Sequence, residues 1–174
     1  MEIFEKYINY VKDSFAQYEK CKVITRVKKE DREIIIILPR VNPHISSLQY
    51  GELGIIFDKK TIEFFGDFMP DDCIDWDENF WKKYTEKEIL SFLDKKIAEY
   101  KYYITNGYFF VFYNKKGEMV NCISYTLDED FKNFDYEKMY SKEKFSSDAD
   151  FNDCKSVTVT NFYGEIVVDN KVLN

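Results

Sequence analysis

The chain has 174 residues, 45% of them apolar and 33% charged, and a net charge of −7. That size suits a single domain spanning residues 1–174. Such a domain buries roughly two-thirds of its unfolded surface and needs no disulfide or metal to hold it, and its apolar content excludes a disordered chain. The acidic balance argues against a nucleic-acid surface, which works by neutralising phosphates with Lys and Arg.

Taken in order, residues 3–20 read as an amphipathic helix, because Phe4, Ile8, Val11, Phe15 and Tyr18 recur at spacings of three and four. Residues 21–27 and 32–38 read as two strands around the polar turn Lys28-Lys29-Glu30-Asp31. The run Ile34-Ile35-Ile36-Ile37 fits a strand buried on both faces. Residues 39–51 form a loop with two prolines, and residues 53–57 and 61–65 form a hairpin around Asp58-Lys59-Lys60. Residues 66–84 read as irregular.

Thr85-Glu86-Lys87-Glu88 is a capping box, and it opens a helix over 86–101 with Ile89, Leu90, Leu93, Ile97 and Tyr100 on its inner stripe. Residues 108–113 and 118–126 form a hairpin across Asn114-Lys115-Lys116-Gly117. Residues 127–153 are polar and acidic, with a short helix expected near 136–140. Strands at 156–161 and 165–169 close the chain. Hairpin-length links imply antiparallel pairing, so the expected architecture is α+β: a mainly antiparallel sheet of about six to eight strands with two amphipathic helices packed on one face.

The segment from Gly66 to Trp81 is the most distinctive. Asp67, Asp71, Asp72, Asp75, Asp77 and Glu78 place six acids and no base in twelve residues, and both tryptophans, Trp76 and Trp81, lie in the same segment. Charges this dense repel one another. They are either a solvated loop whose aromatics tuck into the core, or a surface for a basic partner with tryptophan as its anchor. Trp81, just before the capped helix, suits the core. Asp75, Asp77, Asn79 and Glu86 have the spacing of a calcium loop, but Phe80 stands where the sharp turn needs glycine. The acids at Asp128, Glu129, Asp130 and Asp135, and at Asp148, Asp150 and Asp153, read as solvated loop.

No metal site, cofactor or catalytic residue is expected. Cys21, Cys73, Cys122 and Cys154 form no CxxC pair, and His44, in a proline-rich loop, is the chain's single histidine. No phosphate-binding, zinc-protease or nucleophile-elbow motif occurs. The start, Met1-Glu2-Ile3-Phe4-Glu5-Lys6, lacks a basic segment followed by an apolar one, so no secretory signal is read there. The longest apolar run, residues 34–39, is too short for a bilayer. The expectation is a cytoplasmic protein with reduced thiols, monomeric or weakly dimeric, with no membrane or nucleic-acid partner.

Three stretches carry a resemblance: Gly51 through Gly66 with the acidic continuation to Trp76, the helix Ile89-Leu-Ser-Phe-Leu-Asp-Lys-Lys-Ile97, and Tyr108-Phe-Phe-Val-Phe-Tyr-Asn-Lys-Lys-Gly117. Together, over residues 50–120, they resemble immunity proteins of bacterial polymorphic-toxin and contact-dependent growth inhibition systems. Where related families carry histidines after the strand-ending glycine, this chain has Asp67, Phe68 and Met69. The resemblance implies a protein that binds and blocks a cognate toxin domain, often a basic nuclease, and catalyses nothing. Asp67, Asp71, Asp72, Asp75, Trp76, Asp77 and Glu78 would then be the partner-binding residues. The reading from a different class is a small α+β enzyme or ligand-binding domain with an aromatic pocket and carboxylate chemistry.

Overall fold

The apolar stripe of the first helix joins the core shared by the elements N-terminal to residue 107. The computed structural model describes residues 2–28, 32–40, 50–128, 133–136, 138–139 and 154–173. Helix α1 runs Glu2–Phe15 and buries Phe4, Tyr7, Ile8, Val11 and Phe15. It stops five residues short of the expected end. Ala16 and Tyr18 bond back three residues, to the carbonyls of Asp13 and Phe15, so the chain tightens into a turn before the next strand. Tyr18 still packs against the core from that turn, which is why the apolar period outruns the helix.

Five strands follow as an antiparallel meander: β1 (Cys21–Lys28), β2 (Arg32–Pro39), β3 (Leu53–Phe57), β4 (Ile62–Gly66) and the two-residue β5 (Asp72–Cys73). The register sets Ile35 opposite Ile55 and Ile55 opposite Phe64, so Ile35, Ile37, Leu53, Ile55, Phe57 and Phe64 share one face with the helices. Ile34 and Ile36 point the other way and are buried too, as a β-branched run suited to two covered faces requires.

After the single turn α2 (Phe80–Lys83), helix α3 runs Glu86–Asn106. Its capping box is formed: Thr85 Oγ1 accepts from the Glu88 N–H, and the Glu88 carboxylate accepts from the Thr85 N–H. It continues past residue 101 because Ile104 extends the buried stripe of Ile89, Leu93, Ile97 and Tyr100. Helices α1 and α3 pack on each other and on the same face of the first sheet.

The second sheet is built from β6 (Gly107–Asn114), β7 (Met119–Thr126), β8 (Cys154–Asn161) and β9 (Ile166–Val172), ordered β7-β6-β8-β9 and antiparallel throughout. Its own core gathers Phe110, Phe112, Val157 and Val159 with Leu127, Tyr136, Met139 and Leu173. The class is α+β, as the sequence indicates. The described strands number nine and divide into two sheets, where the sequence suggests one sheet of six to eight. The extra strand is β5, in a segment too acidic to carry a strand pattern. Of the short helix expected near 136–140, Tyr136, Lys138 and Met139 are helical. His44 and the acids at 129–130 and 148–153 lie outside the described residues.

An aromatic joint couples the sheets. The Phe68 ring, just beyond β4, lies 5.0 Å from Phe109, 6.1 Å from Tyr103 and 6.2 Å from Phe162. Gly107 allows this approach, since a Cβ there would lie 2.8 Å from the Phe68 ring. Gly51 does the same on the other side, donating its N–H to the Phe162 carbonyl at 2.9 Å with no room for a side chain against that ring.

Tyr100 fastens α3 to the first sheet. Its ring is fully buried and its hydroxyl donates to the Gly54 carbonyl at 2.6 Å. Burial pushes its pKa far above the ordinary tyrosine value. Tyr100→Phe keeps the ring and strands a buried carbonyl. It should lower unfolding free energy by about 1–3 kcal/mol, read by urea melts at fixed pH. A loss within error of zero would mean that the hydroxyl contributes nothing net.

Candidate functional site

The acidic segment begins as β4 ends. Asp67 donates its N–H to the Glu52 carbonyl at 3.1 Å, and its Oδ2 accepts from the Glu52 N–H at 2.7 Å. That reciprocal pair closes the open end of the β3–β4 hairpin. The Asp67 carbonyl in turn accepts from Ser124 Oγ on β7. Its carboxylate is half-buried and its pKa is raised by desolvation, against the pull of the Glu52 N–H. Cys122 on β7 feels that charge: burial first, then Asp67, push its thiol up to about 11. Asp67 is thus tied into the seam between the sheets.

The remaining acids wrap the edge of the first sheet. β5 pairs Asp72 with Phe64 and Cys73 with Glu63, and the Ile74 N–H donates to the Ile62 carbonyl at 3.1 Å. The loop then crosses the β3–β4 turn, where the Asp77 N–H donates to the Lys60 carbonyl at 3.0 Å. Phe80 is wholly buried. Trp81 is half-buried against Phe4, Tyr7 and Phe80, with ring centroids 5.1–5.5 Å away, and its Nε1 donates to the Asp58 carbonyl at 2.8 Å. Trp81 is therefore a core residue, as its place before the capped helix implies.

Three lysines from outside the acidic run answer its charge. Lys96 of α3 meets Asp72 at 3.1 Å and Glu99 at 2.9 Å. Lys83 of α2 bridges Asp75 and Asp77, the second at 3.3 Å. Lys60 of the β3–β4 turn pairs with Glu78. Asp75 also accepts from the Tyr84 hydroxyl at 3.0 Å, and Asp77 caps the Asn79 N–H at 2.8 Å. The Lys83 and Tyr84 hydrogen bonds hold Asp75 below the usual carboxylate range, and the Asn79 N–H and Lys83 do the same for Asp77. The Lys83 ammonium is raised in turn. The carboxylates with calcium-loop spacing are thus engaged within the chain, Glu86 with Lys6. Among the described residues no group of three or more His, Cys, Asp or Glu could hold a metal. All four cysteines are free thiols.

Asp71, Asp72 and Glu78 are exposed, Asp71 has no ion pair among the described residues, and Trp76 stands 55% exposed between them in sequence. The structure brings Asp72, Asp75, Trp76, Asp77 and Glu78 onto one braced loop and assigns Asp67 to the seam. Lys60, Lys96 and Tyr84 are the participants that sequence reasoning misses. Lys60 and Lys96 reach the loop only through the fold. Among the described residues, one surface groove opens on α3 at Glu86, Leu90, Ser91 and Asp94, and another at the end of α1 around Phe15, Tyr18 and Arg40. Among the described residues no helix is long and apolar enough to cross a membrane. The chain matches no protein-family model, no curated protein and no solved structure.

Asp67→Asn keeps the acceptor for the Glu52 N–H and removes a half-buried charge. Because the folded-state pKa is raised, ionising Asp67 costs nothing below the unfolded pKa, and the penalty grows as pH rises to the folded pKa and is complete above it. The variant should therefore melt higher than the parent at pH 7, and the gap should close as pH falls through the carboxylate range. A lower melting temperature at pH 7 would show that the charge itself is needed. Trp81→Ala should cost roughly 3 kcal/mol of stability, within the range for large aromatic truncations, measured by denaturant melts.

Proposed function

We propose that this chain is a cytosolic immunity-type protein that binds and neutralises a cognate toxin domain, with Trp76 and its acidic neighbours as the docking face. One observation carries the reading: a tryptophan more than half exposed on a loop that is otherwise tied down. A large aromatic left in water has most to gain from a partner, and tryptophan is enriched among interface anchors. The bracing matters as much. Bonds from Lys60, Lys83, Tyr84, Lys96 and the Ile62 carbonyl hold the loop before any partner arrives, so little ordering entropy is lost on binding.

The charge pattern suits a basic partner. Asp71, Asp72 and Glu78 are exposed, Asp72 and Glu78 with their charge partly answered by Lys96 and Lys60, and exposed carboxylates act on encounter and orientation more than on final affinity. Asp75 and Asp77 are committed to Lys83 and to local backbone, so they belong to the loop's scaffold and not to its steering charge. Asp67 has no part in the face.

The test is binding kinetics against the C-terminal domain of a large secreted protein encoded immediately upstream, with melting curves alongside. Asp71→Asn, Asp72→Asn and Glu78→Gln combined should slow association and flatten its salt dependence, with the off-rate little changed. Trp76→Ala should raise the off-rate by roughly 30-fold, about 2 kcal/mol, and leave the melting temperature near that of the parent. Unchanged on-rate in the first and unchanged off-rate in the second would remove this loop from the interface. Absence of any complex would remove the immunity reading itself.

A further inference from the structure

The end of α1 furthest from Trp81 carries a different chemistry. A pocket opens there between the last turn of α1, the turn after it, the start of β1 and the residue following β2. Its volume is about 490 Å³, within the range of small-molecule sites. Its apolar side is Phe15, Tyr18, Val23 and the buried Cys21. The Phe15 and Tyr18 rings lie 5.9 Å apart, tilted by 53°, and Lys101 of α3 holds its ammonium 6.0 and 5.9 Å from their centres. Lys12 and Arg40 supply the cations of the wall, and Glu19 a carboxylate.

Arg40 is the informative residue. Its Nε donates to the Cys21 carbonyl at 3.0 Å, which fixes the plane of the guanidinium. Its two terminal nitrogens have no hydrogen-bond partner and the group has no ion pair among the described residues. Arg32, by contrast, is paired with Asp58. A guanidinium oriented through Nε, with its outer donors unused among the described residues, has the geometry for bidentate contact with a carboxylate or phosphate. Lys12 lies in the last turn of α1, where the helix carbonyls take up part of its charge. Arg40 is then the main attraction for an anion, with Lys12 beside it and Glu19 opposing on the same wall, and the half-buried Tyr18 ring offers a face for a planar group.

We propose that this pocket binds a small oxyanion, carboxylate or phosphate, carried on an aromatic body, with Arg40 gripping the anion and Tyr18 receiving the ring. The site is separate from the acidic loop and does not depend on the immunity reading. Carboxylate and phosphate share the grip, and the probes separate them.

The full chain is titrated, by calorimetry and by amide chemical-shift mapping, with phenyl phosphate, phenylacetate, inorganic phosphate and phenol. At least one of the first two should bind one-to-one, at least about tenfold more tightly than inorganic phosphate or phenol, because each of those lacks half of the recognised chemistry. The better of the two identifies the anion. Shifts should concentrate in residues 12–23 and at Arg40. Arg40→Lys keeps the charge and loses the fork, and should weaken binding at least about tenfold. Tyr18→Ala should reduce the advantage over inorganic phosphate. Melting curves separate lost binding from lost fold, and if Arg40→Lys does not fold, the mapping on the parent chain decides. No saturable binding, shifts elsewhere, or a folded Arg40→Lys with parent affinity would overturn the proposal.

Discussion

The meeting of Phe68 with Phe109, Tyr103 and Phe162 is the contact on which the remaining geometry depends. Among the described residues the two sheets share no backbone ladder. They are held in part by rings that pack edge and face, and packed rings tolerate little displacement. Two glycines make the approach possible, because a single methyl at Gly51 or Gly107 would occupy ring space. Directly after β4 the chain must dive inward at Phe68 and Met69, both of which pack on the main core. It can only re-emerge at Pro70, and that re-emergence fixes where the acidic loop starts and which way it runs along β4.

The loop itself resolves an electrostatic problem by importing cations. Six carboxylates in twelve residues would repel if they had only solvent for company. Lys60, Lys83 and Lys96 come from a turn, a short helix and a long helix, so the acids are compensated only once all three elements are in place. Exposed ion pairs of this kind are each worth little. Their effect is on conformation: they leave the loop a narrow choice of paths across a sheet edge that acidic side chains also shield from pairing with another chain.

Much of the fold was legible because burial writes a period into sequence. The stripe in α1, the capping box before α3 and the isoleucine run in β2 all follow from one-dimensional rules. The division into two sheets was not legible. It depends on Gly107 turning α3 directly into β6 and on Phe68 reaching Phe109, contacts between residues far apart in the chain. β5 was missed because its register comes from β4 and not from any pattern in Asp72-Cys73. At the site, the acid cluster and the core role of Trp81 could be read, while the inward position of Asp67 could not. Nothing in Gly66-Asp67-Phe68 signals that the carboxylate will be used on the Glu52 N–H.

The net charge of −7 describes neither proposed surface. Trp81, beside the acidic loop, packs on Phe4 and Tyr7 at the start of α1, and the Arg40 pocket is lined by Phe15 at its end. A helix of 14 residues spans about 21 Å, roughly two and a half times the screening length at physiological salt. A charge at one end is therefore felt only weakly at the other. An acidic face can steer a basic protein while a cationic, aromatic pocket on the same core receives an anion, and neither need weaken the other. Coupling between them would have to travel through the packing of α1, whose buried stripe runs unbroken from Phe4 to Phe15.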